Sequence, residues 1–349
     1  MLELVLLLTL GLFVCQLLLL VYLYTTKTWA IKKENAANRL YHELFPDYLS
    51  YLTGDTDIEP MLPKNDELKQ KVLGRILSGF TNIMTDSAGR ARIQQSAEAH
   101  LAAIYRKKLK SSNWSKRMNA LYLIEDFMIL SLREDVKEHL QAITIIDEEY
   151  RQTLRILASF QEESLLEYMF SRPNMSIGLI KEILRRLPLN FLTDIMVVLK
   201  KDEDDVPYAI RQAFIDYCGE SGYYEFLPFI EYMLTHQSKE TRIKALKSLH
   251  QYQYCSNPTI IIPFFTSEHW EERLHAAKLT GMMKLTEFSD YLILLAGDRV
   301  WWVRFQACEA LKKMTDGEIL LAYLSEQHED MYAKDMAKQT LTMRAGGQV

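Results

Sequence analysis

The side chains best suited to metal or nucleophilic chemistry in this 349-residue chain are four cysteines and eight histidines, and their spacing argues against both uses. Cys15, Cys218, Cys255 and Cys308 lie far apart with no CxxC or CxxxC pair, so the usual zinc ribbon is excluded. The last three sit in apolar helical strings such as "FIDYCG" and "RFQACEAL", where a thiol serves as a small buried hydrophobe. His236, His250, His269 and His275 are close in sequence, but no two form HxxxH or HExxH. Core, cap or surface roles are expected for them. Two His–Glu pairs, His42–Glu43 and His328–Glu329, stand near opposite ends of the chain. No GxxxxGK[ST], GxGxxG or GxSxG occurs, and no spacing singles out a nucleophile with its base. The expectation is a protein without catalysis, cofactor, metal or small-molecule substrate.

Two groups of residues are better suited to binding. Arg106, Lys107, Lys108, Lys110, Lys116 and Arg117 fall within twelve positions that contain no acid. They suit either a solvated turn or a patch facing anionic lipid or an acidic partner. With no series of aromatic side chains interleaved for base stacking and a net charge of −5, nucleic acid is not the expected partner. The tandem Trp301–Trp302 diverges by about 100° on a helix. One ring can enter a core while the other points elsewhere as a contact hot spot. The run Lys200-Lys201-Asp202-Glu203-Asp204-Asp205 places bases at one helix end and acids at the next start, as helix dipoles favour.

These residues must be positioned by helices. Nine prolines, 13 glycines and 48% apolar residues argue for long helices rather than many short strands. Residues 4–24, LVLLLTLGLFVCQLLLLVYLY, span roughly 30 Å as a helix, enough to cross a bilayer core. Gln16 is the one strongly polar side chain there, available for contact with another membrane helix. Tyr22, Tyr24 and Trp29 fall at an interface level. The start "MLE" lacks the basic region of a cleavable signal. Lys27, Lys32, Lys33 and Arg39 all follow the apolar stretch. Positive-inside bias then leaves the N-terminus outside and residues 25–349 in the cytoplasm. A juxtamembrane helix over 28–45 either lies on the inner leaflet or continues from the span, and Pro46, Gly54, Pro60 and Pro63 mark a connector over 46–66.

The second half of the chain is periodic. Arg211, Arg242, Arg273 and Arg304 recur every 31 residues, and Ala245, Ala276 and Ala307 follow the last three by three positions. Each first helix, as in "KETRIKALKSL" or "WWVRFQACEAL", precedes a short apolar second stretch such as "SDYLILLA" or "GEILLAYLS". A hairpin of two such helices cannot bury its apolar face alone, whereas a stack forms a continuous core. The alanines mark where the next unit approaches closely. The arginines are expected to bond carbonyls of the preceding loop with their fork of donors, a structural role. Upstream, "WSKRMNALYLIEDF", "EEYRQTLRILASF" and "SIGLIKEILRRLP" continue the rhythm more weakly, giving seven units.

The segments "WWVRFQACEALKKMTDGEILLAYL" and "KETRIKALKSL" resemble HEAT-like repeats of the PBS-lyase type, with Asp298, Val303, Arg304, Ala307, Ala310 and Leu311 on the pattern. Asp298 is followed by four residues before Val303, which departs from the usual capping position. The resemblance covers about 206–327 and implies an all-α, right-handed α-solenoid with a binding role. The expected layout is a transmembrane anchor over 1–25, a juxtamembrane helix and linker over 26–65 and a helical cap over 66–113. Repeats over 114–331 and a closing helix and tail over 332–349 complete it. Deoxyhypusine hydroxylases and bilin lyases are also HEAT-like. The first need repeated His–Glu pairs that the intervening units lack, and neither the anchor nor the cysteine pattern suits the second. The chain is similar to bacterial membrane-anchored HEAT-like proteins associated with polysaccharide-synthesising glycosyltransferases. That implies a non-catalytic accessory subunit held to a membrane protein, with an adaptor recruiting a cytosolic protein as the alternative.

Overall fold

A computed structural model describes residues 2–171, 175–201 and 207–342. All regular structure among them is helical. The first helix, α1 (Leu2–Thr53), runs unbroken through the apolar stretch and the juxtamembrane segment. It does not stop at Pro46, as the sequence suggested. A proline inside a helix removes one hydrogen bond and crowds the preceding turn. Here the turns beyond it are held by burial of Tyr48, Tyr51 and Leu52. Termination comes at Gly54, whose φ of +89° suits a residue without Cβ. The connector is therefore 54–65.

The chain divides into two compact units, Met1–Glu162 and Glu163–Val349. In the first, α2 (Asp66–Thr81) packs on α1, followed by α3 (Ser87–His100) and α4 (Ala102–Leu109). Asn65 and Asp86 cap α2 and α3 by accepting from the backbone amides of Leu68 and Gly89. The last third of α1 lies on protein rather than running free. Phe45 stacks on Phe80 at 5.6 Å, Arg75 donates to Asn38 at 2.7 Å, and Lys33 and Lys71 pair with Glu67 and Glu34. Of the two juxtamembrane alternatives, continuation of the helix is the one observed. The hairpin of α5 (Trp114–Asp126) and α6 (Arg133–Ala142) and then α7 (Glu148–Ser159) complete this unit.

The second unit begins with α8 (Ser164–Phe170) and continues with alternating helices. First helices are α9 (Ile177–Leu184), α11 (Tyr208–Ser221), α13 (Lys239–Tyr252), α15 (Trp270–Met283) and α17 (Trp301–Lys312). Each of these packs on the next to make one layer, closed by α19 (Met331–Thr342). Second helices are α10 (Leu189–Lys201), α12 (Leu227–Met233), α14 (Ile262–Phe265), α16 (Ser289–Ala296) and α18 (Gly317–Gln327). From α12 onward each second helix lies against the first helix that follows it. This is an all-α, helix-hairpin repeat architecture. The expected first helices appear in order. The boundary between the units falls between α7 and α8.

Ala245, Ala276 and Ala307 are fully buried, with Phe214 at the equivalent place in α11. The tightest approaches lie elsewhere. A Cβ on Gly219 would sit 2.9 Å from Ser248, and one on Gly281 would sit 2.5 Å from the Cα of Ala310. Glycine at these positions lets α11 approach α13, and α15 approach α17, backbone to backbone.

Candidate functional site

The repeated arginines occupy the loop edge of the hairpins, where one second helix hands over to the next first helix. Arg242 Nη1 donates to the carbonyls of His236 and Gln237 at 2.9 and 2.7 Å. Arg273 Nη1 donates to Ser267 and Glu268 at 2.7 and 3.3 Å, and Arg304 Nη1 to Asp298 and Arg299 at 2.8 and 3.3 Å. Arg117 does the same in the first unit, to Ser111 and Ser112 at 2.9 and 3.1 Å. The fixed fork of the guanidinium thus closes each entry loop, as its position in the sequence predicts. Arg211 is buried at the matching place, and residues 202–206, ahead of Pro207, lie outside the described residues.

The other side of the same guanidinium reaches forward. Arg117 Nε and Nη2 hold Glu149 of α7 at 2.5 and 2.8 Å, and Arg242 Nε holds Glu272 of α15 at 2.8 Å. Arg273 Nε and Nη2 hold Asp298, ahead of α17, at 2.5 and 2.9 Å. Asp298 also accepts from the Val300 amide at 2.8 Å. It therefore bonds within the loop ahead of α17, whose N-cap position is Val300 with no side-chain cap, and serves as an ion-pair partner. Burial pushes the Glu149 carboxyl up, but hydrogen bonds from Arg117 and His139 outweigh it and hold the group below its usual range. These groups are saturated by one another and fit scaffolding better than proton transfer.

Around this framework the edge carries large exposed aromatics. Trp114, Tyr208, Trp270 and Trp301 each occupy the first position of a first helix, with 48%, 53%, 38% and 43% of the residue exposed. Helix side chains lean toward the N-terminus, so a ring at the first position projects off the end of the layer. In the second unit Trp301 stacks on Phe305 at 5.3 Å and meets Trp302 edge-on at 4.7 Å. Tyr332 receives the Arg304 guanidinium over its ring at 5.4 Å. Trp302 is itself exposed, so neither tryptophan is consumed by the repeat core. In the first unit Trp114, Arg117, His139, Ile143, Ile145 and Glu149 line an open depression of about 450 Å³. The sequence pointed to Trp301 and Trp302 but not to the series. Its signal is an aromatic three residues before Arg117, Arg211, Arg273 and Arg304, with Lys239 in that place before Arg242.

The basic cluster disperses. Arg106 pairs with Asp135 at 2.9 Å, Lys108 turns to Gln70, and Arg117 is engaged as described. Lys107, Lys110 and Lys116 remain exposed. Lys200 lies near the end of α10, and the acidic run after it lies outside the described residues. Among the soluble cysteines, Cys218 and Cys308 are fully buried and Cys255 nearly so. Burial pushes the Cys255 and Cys308 thiols up to about 12, so neither offers a thiolate at neutral pH. Among the described residues no group of three His, Cys, Asp or Glu side chains could hold a metal ion.

No protein-family model matches the chain, and no curated protein matches it. Among solved structures, a crystal structure of an engineered protein is similar, covering 80% of this chain and 95% of its own at 13% identity and a TM-score of 0.35. Likeness at that level carries no argument about function. α1 is long and apolar enough to cross a membrane, with a mean hydropathy of 1.8 in its apolar window and none of that window buried.

Proposed function

We propose that this protein is a membrane-tethered, protein-binding scaffold and a non-catalytic accessory subunit of a membrane enzyme. One observation carries the reading: an apolar helical segment that nothing among the described residues covers continues, without a break, into a helix packed on the helical array. An uncovered apolar helix of bilayer length is at home in lipid or against another membrane helix. A tether raises effective concentration only toward other membrane-associated molecules, which makes a membrane protein the economical partner. The cytoplasmic placement of the repeats rests on Lys27, Lys32, Lys33 and Arg39 following the span. A polysaccharide-synthesising glycosyltransferase is the specific partner class we infer, on sequence resemblance alone, and a right-handed superhelix is the geometry that resemblance implies.

The test is purification of the tagged full-length chain in gentle detergent, beside a shortened chain beginning near Pro63. Retention of a membrane glycosyltransferase by the first, reduced in the second and in a Trp301→Ala/Trp302→Ala variant, is the expected result. Equal recovery of soluble proteins alone by both chains would favour the adaptor reading. Release of the full-length chain from membranes at alkaline pH would overturn the tether.

A further inference from the structure

The first-helix layer of the second unit presents basic side chains that the scaffold's own contacts leave unused. Register places them together. Lys244 of α13 pairs with Asp216 of α11, 28 residues earlier, which shows which positions of successive first helices lie side by side. The same offset sets His275 of α15 beside Lys247 of α13, and Lys278 of α15 beside His250 of α13. Lys313, just beyond the end of α17, extends the row beside His250, while its neighbour Lys312 is turned away to donate to the Thr340 carbonyl at 2.8 Å. Among the described residues, Lys247, His250, His275, Lys278 and Lys313 take part in no ion pair or hydrogen bond, unlike Lys244. Lys247 and Lys313 are exposed, and Lys278 and both histidines are half-buried between them.

The charges acting on these rings are all positive. Burial and then Lys247, Lys278 and His250 push His275 down, and burial, Lys278 and Lys313 push His250 down. Glu309, on α17, is not among the charges felt by either ring, and Asp216 is occupied by Lys244. Five cationic or protonatable groups held together without a counter-charge repel one another, and a bound anion relieves that repulsion.

We propose that Lys247, His250, His275, Lys278 and Lys313 form a docking strip for an acidic segment of a partner protein. Packed helices lie 8–10 Å apart, so the three first helices set a row of about 20 Å, the reach of roughly six extended residues. The recessed Lys278 and histidines favour carboxylates on flexible side chains over the flat surface of a bilayer, which meets only protruding groups. No aromatic side chain belongs to the strip, so base stacking has no platform there. The proposal extends the scaffold reading to a second surface, and its test does not depend on which membrane enzyme is held.

The experiment measures anisotropy of fluorescein-labelled hexaglutamate with the full-length chain in neutral phosphatidylcholine nanodiscs. Saturable binding is expected, weakening as salt rises and strengthening as pH falls from 6.5 toward 5, because bound carboxylates raise the depressed histidines and favour their protonated forms. Lys247→Glu/Lys278→Glu should bind at least about tenfold more weakly. Lys107→Glu/Lys110→Glu, in the first unit, should bind as the parent does. If the reversed variant loses its helical circular dichroism, Lys247→Gln/Lys278→Gln decides the matter with an intermediate loss. Absence of hexaglutamate binding, or equal binding by the variants, overturns the proposal. So does tighter, strip-dependent binding of phosphatidylglycerol vesicles or single-stranded oligonucleotide, which would reassign the strip to that class.

Discussion

Arg273 and Asp298 are the most deeply covered ion pair of the arginine ladder, with 8% and 7% of their side chains exposed. Such a pair contributes little net stability against a hydrophobic substitute, but removing one partner strands the other charge out of water. Arg273→Ala should therefore destabilise by about 3–5 kcal/mol. Arg304 makes the same loop contacts but ends on the Tyr332 ring rather than a carboxylate, so Arg304→Ala should cost about 1–2 kcal/mol. Urea unfolding of both variants checks the ranking, and equal losses would sink it. The loop-clasping half of this role was legible in the sequence because the arginines recur at one offset. The carboxylate half was not. Glu149 is the second residue of α7, Glu272 the third of α15, and Asp298 lies in a loop, so no repeated spacing announces them. His275 supplies a pH signature at the same scale. Its folded pKa is pushed down to about 4, against about 6.5 when unfolded. Between those values the unfolded chain binds a proton that the folded chain refuses, so stability falls as pH falls from 6.5 toward 4 and is unaffected above. His275→Gln should flatten that part of the pH–stability curve, and an unchanged slope would show that His275 does not set it.

At the scale of helices, the decisive contacts are small residues where first helices meet. The Cβ introduced by Gly281→Ala would meet backbone of α17, which cannot yield as a flexible side chain does. The expected cost is about 1–3 kcal/mol despite the better helix propensity of alanine. Amide hydrogen exchange should show faster opening in α15 and α17 while α2 and α5 keep their protection. Uniform loss in both units would contradict the division at Glu162. Gly219 and Gly281 carried a sequence signal, each eight residues after a repeated arginine, but glycine inside a helix reads first as a weakness. The misjudged end of α1 has a similar cause. Pro46 is the louder local signal, yet Tyr48, Tyr51 and Leu52 are buried on α2 and α3, and tertiary packing overrode the proline. Trp302 was legible as a surface residue only once its neighbour's stacking on Phe305 was known.

For the whole molecule, the 31-residue recurrence and the long apolar start were enough to read an all-α repeat protein with a candidate membrane helix. The division into two units was not, since the weaker patterning upstream of Arg211 runs through Glu162 without a break in composition. The edge aromatics and the cationic strip depend on register between helices some 30 residues apart, which single-helix patterning does not contain. The arginine ladder also has a polarity. Arg117, Arg242 and Arg273 each take their carboxylate from the segment that follows their own hairpin, never from the one before. A chain emerging from the ribosome therefore cannot complete any rung until the start of the next hairpin is out, so assembly by these contacts lags synthesis by one repeat. Beyond these three, Arg304 sets its guanidinium over the Tyr332 ring of α19 at 5.4 Å, so its contact too comes from the segment that follows its hairpin.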